Sequence, residues 1–253
     1  MQLGLLDMGI FTVAITSLLE PNLAGWFTPY LFDDVAAAAR GAQTDAARTM
    51  LANLDAAGLV GLGYTFAGMR HVLKRDGPIA SLGDVAGAKI RITPFPAMQV
   101  WWEATPAAPT PVHLSAVYQS LQTGVLDGVD IDLEALVGLR LQQVAGHLTL
   151  TSHMAFPAVV VFSKVVWADL PEADRSTIRA AVDEALAWGT ETQVAAEQKN
   201  IAMMRQEISV AELPDGESVF APANAAFAAE FGDVPLIKRF VEEVRALAPA
   251  RGS

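Results

Sequence analysis

Between residues 82 and 132 the hydrophobic pattern switches repeatedly between a strand period and a helix period. Residues 88–93 alternate small or apolar side chains with Lys89 and Arg91, which predicts a strand with one exposed face. Pro94 and Pro96 end it, because proline has no N–H for a ladder. Residues 98–103 predict a short helix, and 107–113 a second extended segment broken by Pro109 and Pro111. Ser115 stands where an N-cap belongs, before a helix carrying Val117, Tyr118, Leu121 and Gln122; Gly124 suits its C-terminal end. Asp127-Gly128 then turns the chain into a strand at 129–132.

On the N-terminal side, residues 6–11 predict a short buried strand and 12–19 a helix. Residues 21–32 are irregular and aromatic, with Pro21 and Pro29. Asp34 is placed to cap a helix over about 35–57, bent at Gly41, and 58–64 predict a buried strand leading into Gly68-Met69-Arg70-His71. Gly61 and Gly63 would leave that strand bare on one face for close helix packing. Further on, 133–144 predict a helix and 147–152 a strand. The apolar, β-branched run 155–163 predicts a fully buried strand. Pro171 and Glu172 open a helix whose apolar spacing persists to about residue 208, roughly 55 Å at ~1.5 Å per residue. An amphipathic helix over 236–247 closes the pattern. The β-α alternation predicts a parallel, doubly wound α/β architecture in two lobes, with ligands beyond the strand C-termini.

Composition narrows the functional classes. With 253 residues, 52% of them hydrophobic, the chain can bury a sizeable core and is not of disordered composition. A net charge of −11 argues against nucleic-acid partners. The absence of cysteine excludes disulfides and thiolate chemistry. His71, His113, His147 and His153 lack metal-ligand spacing, and Asp130, Asp132 and Glu134 lack that of a calcium loop, so no metal and no cofactor is expected. Phosphate-binding and nucleophile-elbow motifs are missing as well. No stretch is long and apolar enough to span a bilayer; residues 3–19 come nearest but carry Asp7 and no basic leader.

The string G-A-K-I-R-I-T-P at 87–94, followed by P-V-H-L-S-A-V-Y-Q-S-L-Q-T-G-V-L-D-G-V-D at 111–130, resembles the DctP-type substrate-binding proteins of TRAP transporters. The resemblance implies a periplasmic receptor without catalytic activity, expected as a monomer, that delivers a keto acid, dicarboxylate or sugar acid to a membrane permease. It implies a two-lobed periplasmic-binding-protein-like α/β fold with hinge strands and a long helix bracing both lobes. Lobe I would comprise 1–69 and 157–196, and lobe II 70–156 and 197–253. Family members carry a signal peptide and a β-α-β-α segment before the motif found here at 4–9 (Gly4-Leu5-Leu6-Asp7-Met8-Gly9). A fragment or a misassigned start is therefore expected.

The same resemblance assigns site residues. Arg91 would grip the ligand carboxylate through a fixed fork of donors that lysine does not reproduce. Arg70 aligns with an assisting arginine, and Thr12 with a contact from the first lobe. Leu114 stands where an aromatic often packs, and Ile131 where some members carry asparagine. Either Asp132 or Asp130 then accepts hydrogen bonds from ligand hydroxyls, or the pocket is more apolar. Tyr64 and Phe66 are candidates to line the cleft, and His153 matches a histidine near it. Residue chemistry alone leaves plainer roles open: surface or hinge ion pairs for the arginines, an N-cap for Thr12, core packing for Tyr64 and a structural hydrogen bond for His153. Three other classes remain: a ligand-sensing regulator of the same fold, an enzyme using Asp132 and His153 as an acid–base pair, and a remnant unable to fold alone.

Overall fold

The computed structural model describes residue 1 and residues 5–247; Gly4 of the first motif and residues 248–253 of the expected second lobe lie outside them. Strand β1 (Met8–Thr12) leads into the single helical turn α1 (Val13–Thr16), and a 3-10 segment spans Pro21–Phe27. Two caps divide what periodicity reads as one bent helix. The Asp34 carboxylate accepts the Ala37 N–H at 2.7 Å to start α2 (Val35–Gly41). The Thr44 hydroxyl accepts the Ala47 N–H at 3.2 Å to start α3 (Asp45–Asn53). The predicted strand at 58–64 and the Gly68-Met69-Arg70-His71 run then prove to be one strand of 16 residues, β2 (Leu59–Lys74).

The central stretch follows the predicted order: β3 (Lys89–Ile92), α4 (Pro96–Glu103), β4 (Ala108–Pro111), α5 (Val117–Gln122) and β5 (Gly128–Asp132). Ser115 does not cap α5. It lies inside a 3-10 turn, Leu114–Ala116, which leads directly into the helix. After α6 (Leu133–Gly138), where Arg140 takes a left-handed conformation, come β6 (His147–Leu150) and β7 (Ala155–Ser163). Then follow α7 (Lys164–Asp169), the 36-residue α8 (Glu172–Glu207), β8 (Ser209–Glu212), α9 (Gly216–Val219), α10 (Ala221–Phe231) and α11 (Pro235–Leu247).

The sheet is mixed, which corrects the parallel expectation. Only β3–β4, β3–β5 and β6–β8 run parallel. β1 pairs antiparallel with β7, and β7 with the first part of β2. From Arg70 to Lys74, β2 pairs antiparallel with β5 and, over its last residues, with β6. Side-chain period reveals a strand but not the direction of its neighbour, so β2 and β7 read alike under either topology. β1 is likewise an edge strand and not a buried one: Ile10 is 64% exposed.

Helix α8 follows β2 across both groups of strands. The Gln193 amide donates to the Ala67 carbonyl at 2.9 Å, and Glu197 accepts the Met69 N–H at 3.1 Å. Gly61 and Gly63 admit close approach as expected, although by two different helices: Leu51 of α3 covers Gly61 and Leu186 of α8 covers Gly63. One apolar core gathers Trp26, Phe32, Tyr64, Phe66 and Phe240, and a second gathers Leu73, Leu121, Val129, Leu136 and Leu148.

A Cβ at residue 61 would lie 2.4 Å from Leu51 Cγ and 2.7 Å from the Leu51 carbonyl oxygen, which belongs to backbone and cannot rotate away. Gly61→Ala is therefore expected to lower unfolding free energy in urea by about 1–3 kcal/mol. Gly138→Ala, with nothing within 4 Å of its new methyl, should be neutral or slightly stabilising in the same titration.

Candidate functional site

Strand register sets up the charged centre. Arg70 on β2 stands opposite Asp132 on β5, and Asp130, two residues earlier, shares its face. The Arg70 guanidinium donates from Nε to Asp130 Oδ1 at 2.6 Å and from Nη1 to Asp132 Oδ2 at 3.2 Å; Nη2 donates to the Asp130 carbonyl. Its flat face lies 4.5 Å from the ring centre of Phe156, where the π-electrons favour a cation. Arg70, Asp130 and Asp132 are all buried.

Asp130 has no capacity left for a ligand. Its second oxygen accepts the Trp102 indole N–H at 2.6 Å and faces His153 Nε2 at 3.0 Å. The other ring nitrogen, Nδ1, lies 2.8 Å from the Thr151 hydroxyl, and Trp101 stacks on the imidazole at 4.6 Å. Burial opposes ionisation of Asp130, but the Arg70 charge and the bonds from His153 and Trp102 outweigh it, holding the carboxyl well below the usual range. Burial keeps His153 below its ordinary value despite Asp130, so the imidazole is neutral. With the imidazole neutral, Nε2 donates to Asp130 and Nδ1 accepts the Thr151 hydroxyl, whose single proton then turns away from the Arg70 carbonyl 3.3 Å off.

Arg91 differs from Arg70 in one respect. It is only 3% exposed, and Nε donates to the Val112 carbonyl at 2.8 Å, yet among the described residues it has no ion pair. Burial and the neighbouring Arg70 charge push its pKa down to about 10, against the pull of Asp130 and Asp132, which leaves it a cation at neutral pH. Arg91 and Arg70 line a cleft of about 400 Å³ together with Asp132, Leu114 and Thr12. Thr12 precedes α1, but its side chain makes no capping bond there.

Of the expected site residues, Arg91, Arg70, Asp132, Leu114 and Thr12 thus meet at one cleft, and Asp130, His153, Tyr64 and Phe66 do not. Asp130 and His153 lie behind the wall, fully buried. Tyr64 belongs to the aromatic core, 4.6 Å from Trp26, with its hydroxyl donating to the Ala47 carbonyl at 2.8 Å; Phe66 packs on the same tryptophan. The acid–base pair considered for an enzyme does not form, because His153 bonds Asp130 while Asp132 bonds Arg70 and caps α6 through the Ala135 N–H at 2.8 Å. Ile15, Leu18, Thr93 and Phe156 also line the cleft without having been predicted. Phe156 was legible only as a member of a buried strand. Trp102 offered a weak signal, since a buried indole needs an acceptor.

The family model for bacterial extracellular solute-binding proteins, family 7 (DctP), matches residues 1–226. The C4-dicarboxylate-binding periplasmic protein DctP of Shewanella loihica is 30% identical over 209 residues, covering 81% of this chain and 62% of that protein. The chain thus spans less than two thirds of the length of the curated relatives it matches. Among solved structures, a TRAP periplasmic solute-binding protein from Polaromonas bound to D-erythronate superposes with a TM-score of 0.85 at 29% identity, over 95% of this chain and 80% of that one. A Bordetella counterpart, with ligand density interpreted as pantoate, gives 0.87 at 26% identity over 96% and 81%. These relatives are solute-binding proteins and not enzymes, and the two-lobed α/β fold is theirs too. The chain belongs to family 7 of the bacterial extracellular solute-binding proteins, the DctP family.

Proposed function

We propose that this chain is the ligand-binding part of a periplasmic TRAP receptor, which captures an organic-acid anion and delivers it to a membrane permease. The observation that carries the reading is Arg91: a buried guanidinium with no ion pair among the described residues, at the wall of a cleft. A desolvated cation is costly until an anion meets it, and a carboxylate accepts two parallel hydrogen bonds from one guanidinium. Arg70 serves the site by standing fixed between Asp130, Asp132 and Phe156, presenting a rigid, charge-compensated floor.

In this reading residues 1–69 and 157–196 form lobe I and 70–156 lobe II; α11, expected in lobe II with the rest of the C-terminal segment, instead packs on lobe I, with Phe240 4.8 Å from Trp26. Lobe II supplies Arg91, Arg70 and Asp132; lobe I supplies Thr12, Ile15 and Leu18. A ligand touching both walls favours the closed arrangement, so its differential affinity drives hinge closure at the strands that cross between lobes. Going from mostly open to mostly closed takes about 5 kcal/mol, the scale of one charge-assisted contact plus several neutral hydrogen bonds. The family and the periplasmic Shewanella relative support the location, and the TRAP solute-binding relatives support the permease partner.

A thermal melt with organic acids tests the reading, because a ligand of the native state raises the midpoint. Arg91→Lys should leave the unliganded melt cooperative and weaken acid binding by about 10- to 100-fold in titration calorimetry, since the second parallel bond is lost. Near-native affinity would contradict the role given to Arg91.

Acid sensitivity follows from His153. The unfolded chain protonates this histidine below about pH 6.5 while the native state resists, so the unfolded state binds more protons and stability rises with pH. The contribution is complete above that value and declines as pH falls through it. Melting temperature is expected to drop between pH 7.5 and 5, and His153→Gln should flatten that dependence while lowering the midpoint at neutral pH.

A further inference from the structure

The charges and walls of the cleft narrow the class of acid. We infer that the site takes a monocarboxylate with a branched or aromatic apolar body, and discriminates against dicarboxylates and sugar acids. The inference rests on the proposed reading of the cleft as the acid-binding site.

Charge is the first argument. The buried centre holds two cations, Arg70 and Arg91, and two anions, Asp130 and Asp132. Arg70 stands within 3.2 Å of both aspartates, so its charge is already met inside the protein. Arg91 alone is left to a ligand, and one carboxylate satisfies it. A second carboxylate in the same cleft would approach Asp132, which lines the wall, with no further buried cation lining it among the described residues. His113 also borders the cleft but is exposed, where water screens any charge it carries.

The polar inventory is the second. Asp132 already accepts from Arg70 on one oxygen and from the Ala135 N–H on the other, and Asp130 is sealed behind the wall. Ile131, between them in sequence and also lining the cleft, is apolar. Apart from the charged groups and His113, the hydrogen-bonding side chains lining the cleft among the described residues are Thr12 and Thr93. Two hydroxyls can orient a single 2-oxo or 2-hydroxy group. They cannot replace the water lost by the row of hydroxyls on a sugar acid, each of which costs affinity if left unpaired.

The third argument is the wall itself. Ile15, Leu18, Pro94, Leu114 and Phe156 line the cleft, and Ile15, Leu18 and Leu114 are 56%, 64% and 41% exposed. Covering them with a branched carbon body removes apolar area from water on both sides of the contact, a gain of roughly tenfold or more in affinity.

Titration calorimetry on the unmodified protein with 4-methyl-2-oxopentanoate, phenylpyruvate, succinate and D-galacturonate decides the matter. At least one of the two apolar 2-oxo acids is expected to bind tenfold or more tighter than either succinate or galacturonate. Equal or tighter binding of succinate or galacturonate would overturn the inference and leave the acid-receptor reading standing. Failure of all four to bind a cooperatively folded sample would overturn both.

Discussion

The structure around the cleft depends on how two buried arginines are neutralised. Arg70 is held by Asp130 and Asp132 on one side and by the Phe156 ring on its face. Removing Asp130 would leave the buried guanidinium with Asp132 at 3.2 Å as its remaining acidic partner, a loss on the scale of a broken buried pair, about 3–5 kcal/mol. Asp130 in turn needs Trp102 and His153, and His153 needs Thr151 and the stacked Trp101. Five segments of chain meet in this network. It fixes the floor of the cleft and leaves Arg91, one strand away from β5, as a buried cation without an ion pair among the described residues.

That arrangement ties binding to architecture. β2 carries Arg70 where its pairing passes from β7 to β5, so the charged network sits at the crossing between the two groups of strands. Helix α8 accompanies the crossing strand and accepts or donates hydrogen bonds on both sides of Gly68. In the proposed reading a ligand held at Arg91 adjoins this crossing, where β2 would absorb part of any relative movement of the two lobes. The Arg70 network lines the cleft from one side, and the exposed Ile15 of α1 and Leu18 just after it line the same cleft.

Local chemistry was legible in the sequence where it is written in neighbouring residues. Prolines 94 and 96, the Asp34 cap, the 155–163 run and the long 172–207 helix all express short-range rules, and the structure follows them. Pairing direction is not a short-range property, so the antiparallel β2–β7 contact was hidden and the glycines of β2 concealed a single long strand. β8 is only four residues long and owes its existence to β6, and α10, apolar around most of its circumference, has no periodic face to detect. At the site, Arg91 could be read from its motif. The inward turn of Asp130 could not, because it is decided by Trp102 and His153, distant in sequence.

The central claim is that Arg91 is completed by a ligand carboxylate. A crystal structure of the protein grown with the tightest-binding acid tests it directly. The account predicts the carboxylate against the two terminal nitrogens of Arg91, each at about 2.8–3.0 Å, with the Arg70–Asp130–Asp132 network unchanged beneath it. A carboxylate bound elsewhere, or an Arg91 turned onto a protein carboxylate in the liganded state, would contradict it.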